Sequence, residues 1–430
     1  MTRPLSVAVA GLGTVGIGVL KLLRENTEII AARAGRPIAV TAVSARDRLR
    51  DRGEPLGGLH WYDDPVALAS DPGIDVVVEL IGSADGPAFA LVQAALAAGK
   101  SVVTANKAMI ALNGGKLAAA AERAGVAFGF EAAVAGGIPI IKALREGLAA
   151  NRILRISGIL NGTCNYILTV MRERGREFAE VLTEAQKLGY AEADPSIDID
   201  GIDTAHKLAI LAALAFDGPV PFEAIHIEGI RSISALDIGY SNELGYRIKL
   251  LGIARRSETG IECRVHPCMV SMRSPIARVD GVFNAVVAEG NFVGKLMLEG
   301  RGAGAGPTAS AVVADLIDIA RGSPLPVWGI ATDALANTRT VAMKAHVGAY
   351  YLRLMVVDRP GVIADVTAVL RDLGVSLESM LQRGRSPGGA VPVVLVTHET
   401  EEASMQAALE KIEALDSVVE RPAMIRIEPA

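Results

Sequence analysis

Six residues, Gly11-Leu12-Gly13-Thr14-Val15-Gly16, constrain this chain more than any others. They follow an apolar run, residues 6–10, that reads as a buried strand, and they open a helical pattern that continues to about Arg33. In that setting Gly11 permits a tight turn, Gly13 lets backbone approach a pyrophosphate, and Gly16 lets helix and strand pack closely. Thr14 and Val15 lie at the helix N-terminus, where free N–H groups and the positive dipole end face phosphates. The glycine spacing alone is a weak signal. Strand, helix and a further βαβ series together point to a dinucleotide site.

Further strands are expected at 38–44, 74–80, 101–106 and 126–132, with helices at 86–99 and 114–125. Strands alternating with helices give a parallel sheet with right-handed crossovers. The fold class is α/β, with a Rossmann-like dinucleotide-binding domain over 1–135. Residues 136–322 read as an α+β catalytic and dimerisation domain. Helical stretches run to about 245, followed by antiparallel strands such as 261–270, 283–290 and 295–300. Helix 305–322 is expected to pack back on the first domain. Residues 323–349, with Pro324 and Pro326, resemble a connector. The order βαββαβ over 350–430 predicts a ferredoxin-like sandwich that looks independent of the rest.

Composition removes several function classes. A formal net charge of −5, with no basic stripe among aromatics, argues against nucleic acid as a partner. The longest apolar helix candidate, Leu208 to Phe216, falls far short of the roughly 18–20 residues that cross a membrane. The N-terminal apolar run mimics a signal peptide, but its glycine spacing argues otherwise. Cys164, Cys263 and Cys268 form no CxxC pair and no zinc cluster, so a reducing, cytoplasmic setting is the simplest reading. Cys263 and Cys268 read as strand residues without chemistry.

An NAD-preferring site places Asp or Glu at the end of the second strand. Here the sequence is Val43-Ser44-Ala45-Arg46. Arg46 suits a bidentate grip on a 2′-phosphate, which favours NADP over NAD, although with Asp47 and Arg48 beside it an ordinary solvated loop also fits. Thr104-Ala105-Asn106-Lys107 lies at the sheet edge where doubly wound folds bind ligands, so Lys107 either faces the nicotinamide end or is a solvated charge. Residues 185–207 carry Glu192, Asp194, Asp198, Asp200 and Asp203, then Lys207. Such crowded carboxylates repel unless cations neutralise them, which suits a substrate ammonium. Asp203 and Lys207, at i and i+4, share one helix face. A lysine in a partly dry site beside a carboxylate is able to shuttle a carbinol proton. A capping acidic loop with a surface ion pair explains the same run equally well. His206 points to another face and reads as a packed histidine.

The spacing of Ala185, Gly189, Tyr190, Ala191, Asp194, Pro195, Asp198, Ile199, Gly201, Asp203 and Lys207 resembles the signature of homoserine dehydrogenases. TANKA (104–108), EAAVAGGIPII (131–141), NGTCNYI (161–167) and GAGAGPTAS (302–310) resemble further blocks of that family, so the likeness spans nearly the whole chain. It implies NAD(P)-dependent interconversion of L-homoserine and L-aspartate 4-semialdehyde, a step of threonine and methionine biosynthesis. By the same resemblance, Lys207 gives and takes the proton of the substrate C4 oxygen, and Lys107 stands near the cofactor and that oxygen. Glu192 and Asp203 bind substrate, helped by Asp198 and Tyr190. Glu131, with the backbone carbonyls of Val134, Gly136 and Ile138, holds a monovalent cation, sodium in family members. Gly302 and Gly304 let backbone approach the cofactor, and Thr104 and Gly189 complete that set. The chain departs from the family at Ser83, where a second glycine is expected after Gly82, and at Cys164, where threonine is also familiar.

Residues 357–363 (VDRPGVI) resemble the ACT family of amino-acid-sensing domains. That implies a threonine effector whose carboxylate meets helix-start N–H groups, or a dimerisation module that senses nothing. A homodimer or homotetramer is expected. Two rivals stand beside this reading. An aspartate-semialdehyde dehydrogenase needs a nucleophilic cysteine, for which only Cys164 is near the right region. A catalytically silent amino-acid sensor on the same fold needs neither lysine.

Overall fold

The computed structural model describes residues 3–322, 325–337, 339–384 and 386–429. Its first sheet holds β1 (Leu5–Ala10), β2 (Ile38–Ser44), β3 (His60–Tyr62), β4 (Val76–Glu79), β5 (Ser101–Thr104) and β6 (Phe128–Gly129). All pair in parallel, in the order β3-β2-β1-β4-β5-β6. This is the doubly wound arrangement whose strand order reverses at β1, the point where such sheets take dinucleotides. Every residue of β1 is buried, so a continuous apolar run rather than alternation marks it.

Several elements differ from the sequence reading. The long first helix is two, Thr14–Glu25 and Thr27–Ala34, broken at Asn26. Strand β3 is three residues long and partly exposed, too short to leave a periodic signal. The expected strand 101–106 stops at Thr104, because Asn106 caps a helix, Lys107–Ala124, with its side chain accepting from Met109 N. The expected strand 126–132 shrinks to β6, followed by a turn of helix from Glu131.

The second sheet holds β7 (Ile153–Ile159), β8 (His226–Ile227), β9 (Tyr246–Ser257), β10 (Gly260–Ser271), β11 (Phe283–Gly290), β12 (Gly294–Arg301), β13 (Thr340–Val341), β14 (Val347–Val357), β15 (Leu377–Gln382), β16 (Ala390–Thr397), β17 (Thr400–Glu401) and β18 (Ala423–Glu428). Its main path runs β12-β11-β7-β9-β10-β18-β14-β16-β15. The βαββαβ unit has its own core, with Tyr350, Leu352, Val366, Leu395 and Met405 buried together. It is nevertheless not independent. Strand β18 pairs in parallel with β10, Cys268 opposite Arg426 and Val270 opposite Glu428. The edge strand β10 of the catalytic region and the edge strand β18 of the βαββαβ unit satisfy each other, which local sequence patterns cannot reveal.

Helix Ala305–Arg321 returns to the first sheet. Ala309, Val312 and Leu316 share a core with Val7, Val9 and Val19. Gly18 allows the approach, since a Cβ there would lie 2.6 Å from Ala305 O. Ser323 and Pro324 of the connector lie outside the described residues. Its described part is fastened down: Trp328 is buried with its ring 5.3 Å from that of Phe130, and Glu122 accepts from Thr332 N and Oγ1 at 2.8 and 2.7 Å. Among the described residues no helix is long and apolar enough to cross a membrane.

Candidate active site

The glycine loop turns sharply out of β1. Gly11 takes φ +100°, and a Cβ there would meet Leu80 O at 2.4 Å. A Cβ on Gly16 would meet Gly11 O at 2.0 Å. Gly13 has nothing within 4 Å, so its backbone faces open space. That open approach before a helix N-terminus, with Thr14 also exposed, fits a dinucleotide pyrophosphate. Arg46 is exposed just beyond β2. The residues after it add something the sequence did not suggest. Arg52 Nε donates to Leu12 O at 3.2 Å, while Arg48 and Arg52 lie 5.7 and 5.6 Å over the Trp61 ring. A loop rich in arginine thus braces the glycine turn through an aromatic on β3.

At the ends of β4 and β5, buried Glu79 organises the next loop. Its Oε1 accepts from Ile81 N and Gly82 N at 2.7 and 3.0 Å, and its Oε2 from Thr104 Oγ1 at 2.6 Å. The Thr104 hydroxyl is therefore turned inward to Glu79. Ser83 adopts φ +78°, the left-handed conformation glycine favours, so serine fills the expected glycine place at a conformational cost. Glu79 was not singled out from sequence; its isolation at the end of a Val-Val-Val strand was the available signal.

Asp203 is the centre of the polar site. Its carboxylate is buried, with Oδ1 2.8 Å from Lys107 Nζ and Oδ2 2.7 Å from Lys207 Nζ. Lys207 Nζ also donates to Leu160 O at 2.7 Å. Asn161 Nδ2 donates to Asp203 Oδ2 and to Asp198 Oδ1, both at 2.8 Å, while its Oδ1 accepts from Cys164 N and caps helix Gly162–Arg174. Two helix N-termini, from opposite sheets of the molecule, thus deliver two lysines to one carboxylate. Burial pulls the Asp203 pKa upward, but Lys207 and Lys107 outweigh it and hold the carboxylate well below its usual range. Burial lowers the pKa of Lys207. It acts the same way on Lys107, yet there Asp203 wins and the pKa is raised. One lysine is thereby eased toward the neutral form and the other fixed as a cation.

The remaining acidic residues surround this centre. Asp198 is half-buried and Glu192 exposed, and both add to the field that keeps Lys107 charged. Tyr190 is exposed, its ring 4.7 Å from that of Tyr166, and no contact joins it to the lysines. Gly189, at φ +74°, ends helix Phe178–Lys187 and starts the loop that carries Glu192. Asp200 is tied to Arg231. His206 stacks on Phe222 with ring centroids 4.7 Å apart. Cys164 is fully buried and donates to Asp198 O at 3.2 Å. Burial first, then Asp198, pushes its pKa well above the usual thiol value. A thiol held neutral is no nucleophile, so the thioester rival loses its only candidate.

Glu131 is buried on the far side of the cofactor loop. It accepts from Ile141 N and Lys142 N at 2.9 and 2.8 Å. Burial and then Asp315 push its pKa up to about 7. Gly136 (φ +53°) abuts Gly302, whose carbonyl would lie 2.5 Å from an added Cβ. Val134 and Ile138 are buried beside them, and Gly304 is exposed at the start of helix Ala305–Arg321. Asp315, buried beside Glu131, accepts from Glu131 N at 2.9 Å and lies 3.7 Å from Lys142 Nζ.

Family models match three segments: "Homoserine dehydrogenase, NAD binding domain" over 11–131, "Homoserine dehydrogenase" over 139–317, and "ACT domain" over 350–417. A homoserine dehydrogenase of Pseudomonas aeruginosa is 47% identical, covering 99% of both chains, and one of Neisseria gonorrhoeae is 45% identical over 99% of both. The crystal structure of a homoserine dehydrogenase from Thiobacillus denitrificans superposes with a TM-score of 0.94 at 52% identity, over 99% of this chain and 98% of that one. A hyperthermophilic archaeal homoserine dehydrogenase in complex with NADPH gives 0.65 at 28% identity, over 75% of this chain and 99% of that one.

Proposed function

This chain belongs to the homoserine dehydrogenase family, an NAD(P)-dependent oxidoreductase with a C-terminal ACT domain, and we propose that Lys207 is its proton acceptor and Lys107 its fixed cation. The observation that carries this is the shared carboxylate: Asp203 holds both lysine Nζ atoms within 2.8 Å. In the direction of oxidation, neutral Lys207 Nζ takes the proton from the C4 hydroxyl of L-homoserine, giving L-aspartate 4-semialdehyde. Bound nicotinamide supplies the two-electron acceptor for the hydrogen leaving that carbon. Lys107 stabilises negative charge building on the oxygen. Asp198 and Glu192, with Tyr190 at the rim, receive the substrate ammonium.

The cofactor reading rests on the open approach at Gly13, with Gly11, Thr14, Val15 and Gly16 around it; Thr104 at the end of β5, Gly189 after helix Phe178–Lys187, and Gly302 and Gly304 before helix Ala305–Arg321 complete the set in this reading. Exposed Arg46 favours NADP. Glu131, with carbonyls of Val134, Gly136 and Ile138, holds sodium as a structural cation. The βαββαβ unit senses threonine, the chain assembles as a homodimer or homotetramer, and it works in the cytoplasm in threonine and methionine biosynthesis.

The test is oxidation of L-homoserine by NADP and by NAD, followed by absorbance of the reduced nicotinamide. We expect turnover in the wild type, its collapse in Lys207→Ala, and a loss of NADP preference of about 10-fold in Arg46→Ala, the worth of a charge-assisted bidentate contact. Wild type with no turnover on either cofactor would favour the silent sensor instead. An unchanged cofactor ratio in Arg46→Ala would remove that residue from the site.

A further inference from the structure

A cleft of about 700 Å³ lies between the C-terminal sandwich and the catalytic region, a size that suits small molecules. Its catalytic wall includes Asp200 and Arg231, and its C-terminal wall includes Arg353 on β14 with Gln406, Leu409 and Glu410 from helix Glu402–Glu413. On that helix Gln406 and Glu410 are one turn apart and share a face.

Arg231 grips Asp200, with Nη2 2.9 Å from Oδ2, and also reaches Ser196 Oγ at 3.1 Å. Both partners are about half exposed, so water already competes for this pair and another carboxylate replaces Asp200 easily. The pair is close to the chemistry. Asp200 ends the short helix Ser196–Ile199 that carries Asp198, and Asp203 follows in the next turn. Ile230 N donates to Ile199 O at 2.8 Å, and a Cβ on Gly229 would meet that same oxygen at 2.1 Å. The acidic loop is therefore clamped from the cleft side by residues 229–231 and from the lysine side by Asn161.

We propose that this cleft binds an α-amino acid, whose carboxylate takes Arg231 from Asp200 while its ammonium faces Glu410, and that occupancy loosens the loop carrying Asp198 and Asp203. The inference deepens the proposed amino-acid regulation and rests on it, but places the effector at the domain seam rather than at the 357–363 loop. By linkage, substrate and effector then weaken each other's binding by the same factor.

The experiment measures inhibition of homoserine oxidation by L-threonine, with the other proteinogenic amino acids in parallel, and binding by calorimetry. Arg231→Met and Glu410→Trp are expected to raise the inhibitory concentration at least about 10-fold, the second with uninhibited activity near wild type. Asp200→Asn, which removes the competing carboxylate, is expected to lower it. Arg359→Trp, in the 357–363 loop, is expected to leave it unchanged. If Arg359→Trp alone relieves inhibition, regulation stands and the seam site is overturned. If Arg231→Met lowers the melting temperature without moving the inhibitory concentration, the residue is only structural and the proposal fails. If no amino acid binds or inhibits the wild type, both readings fall.

Discussion

Two buried charge clusters in this molecule use different cations. At the active site, two lysines share Asp203. At the seam between β10 and β18, Arg264 joins Glu262 and Glu428 at 2.6 Å each, Arg155 joins Glu428 at 2.6 Å, and Arg426 bridges Glu228 and Glu402 at 2.8 and 2.5 Å. Burial raises the pKa of Glu262 and Glu428. For Glu262, His346 and Arg264 outweigh it; for Glu428, Arg264 and Arg155 do, and both carboxylates fall to about 2. Arginine does not give up its proton, so the seam holds its charge and fastens two units together. Lysine does give it up when burial disfavours the cation, and Lys207 is the buried one. On the proposed reading, similar burial and similar ion pairing serve proton transfer in one place and structure in the other. The difference lies in whether the cation is able to titrate.

The most severe way to break this contrast is to carry seam chemistry into the active site. Lys207→Arg keeps the charge and the contact with Asp203, but is expected to lower kcat by about 10²–10⁴-fold, the usual worth of a positioned acid–base group. Steady-state oxidation of homoserine, with circular dichroism to check folding, reads the result. Activity within a few fold of wild type would show that proton exchange at this position is dispensable.

The reverse change weakens the seam. Arg426→Met leaves buried Glu402 without its ion pair, with only Tyr350 Oη and Gln406 Nε2 still donating to it, which is expected to cost about 3 kcal/mol in urea unfolding. Turnover at low temperature should stay close to wild type, because Arg426 touches neither lysine. A collapse of kcat with unchanged stability would make the seam part of the active site.

The gentlest test is pH. Glu262 and Glu428 have folded pKa values of about 2, below the value of about 4.3 of an unfolded glutamate. Their stabilisation is therefore complete above about pH 4.3 and is lost as pH falls toward 2. Below about pH 4.3 this loss is expected to pull the melting temperature down. In Arg264→Met these carboxylates lose a shared partner and their pKa values rise toward the unfolded one, so the acid-dependent fall should be smaller. A fall of equal size in both proteins would take the seam out of the acid response.

Much of the molecule was legible before its structure. The glycine loop is set by local sterics, since Gly11 and Gly16 collide with nearby backbone if given a Cβ. The βα alternation shows in apolar runs that helices cover on both sides, and the Asp203–Lys207 pair follows from helical spacing. These features are encoded within a few residues of themselves. What only tertiary structure decided lies between distant segments. Lys107 meets Asp203 because helix Lys107–Ala124 of one sheet and helix Ile202–Ala215 of the other start at the same place. Asn161, Glu79 and Arg52 acquire their roles from partners brought in by packing. The union of β10 with β18, and with it the seam cluster, arises from hydrogen bonding between strand edges. Periodicity records which way a side chain faces. It does not record which distant edge or carboxylate it will face, because that is settled by how whole elements pack.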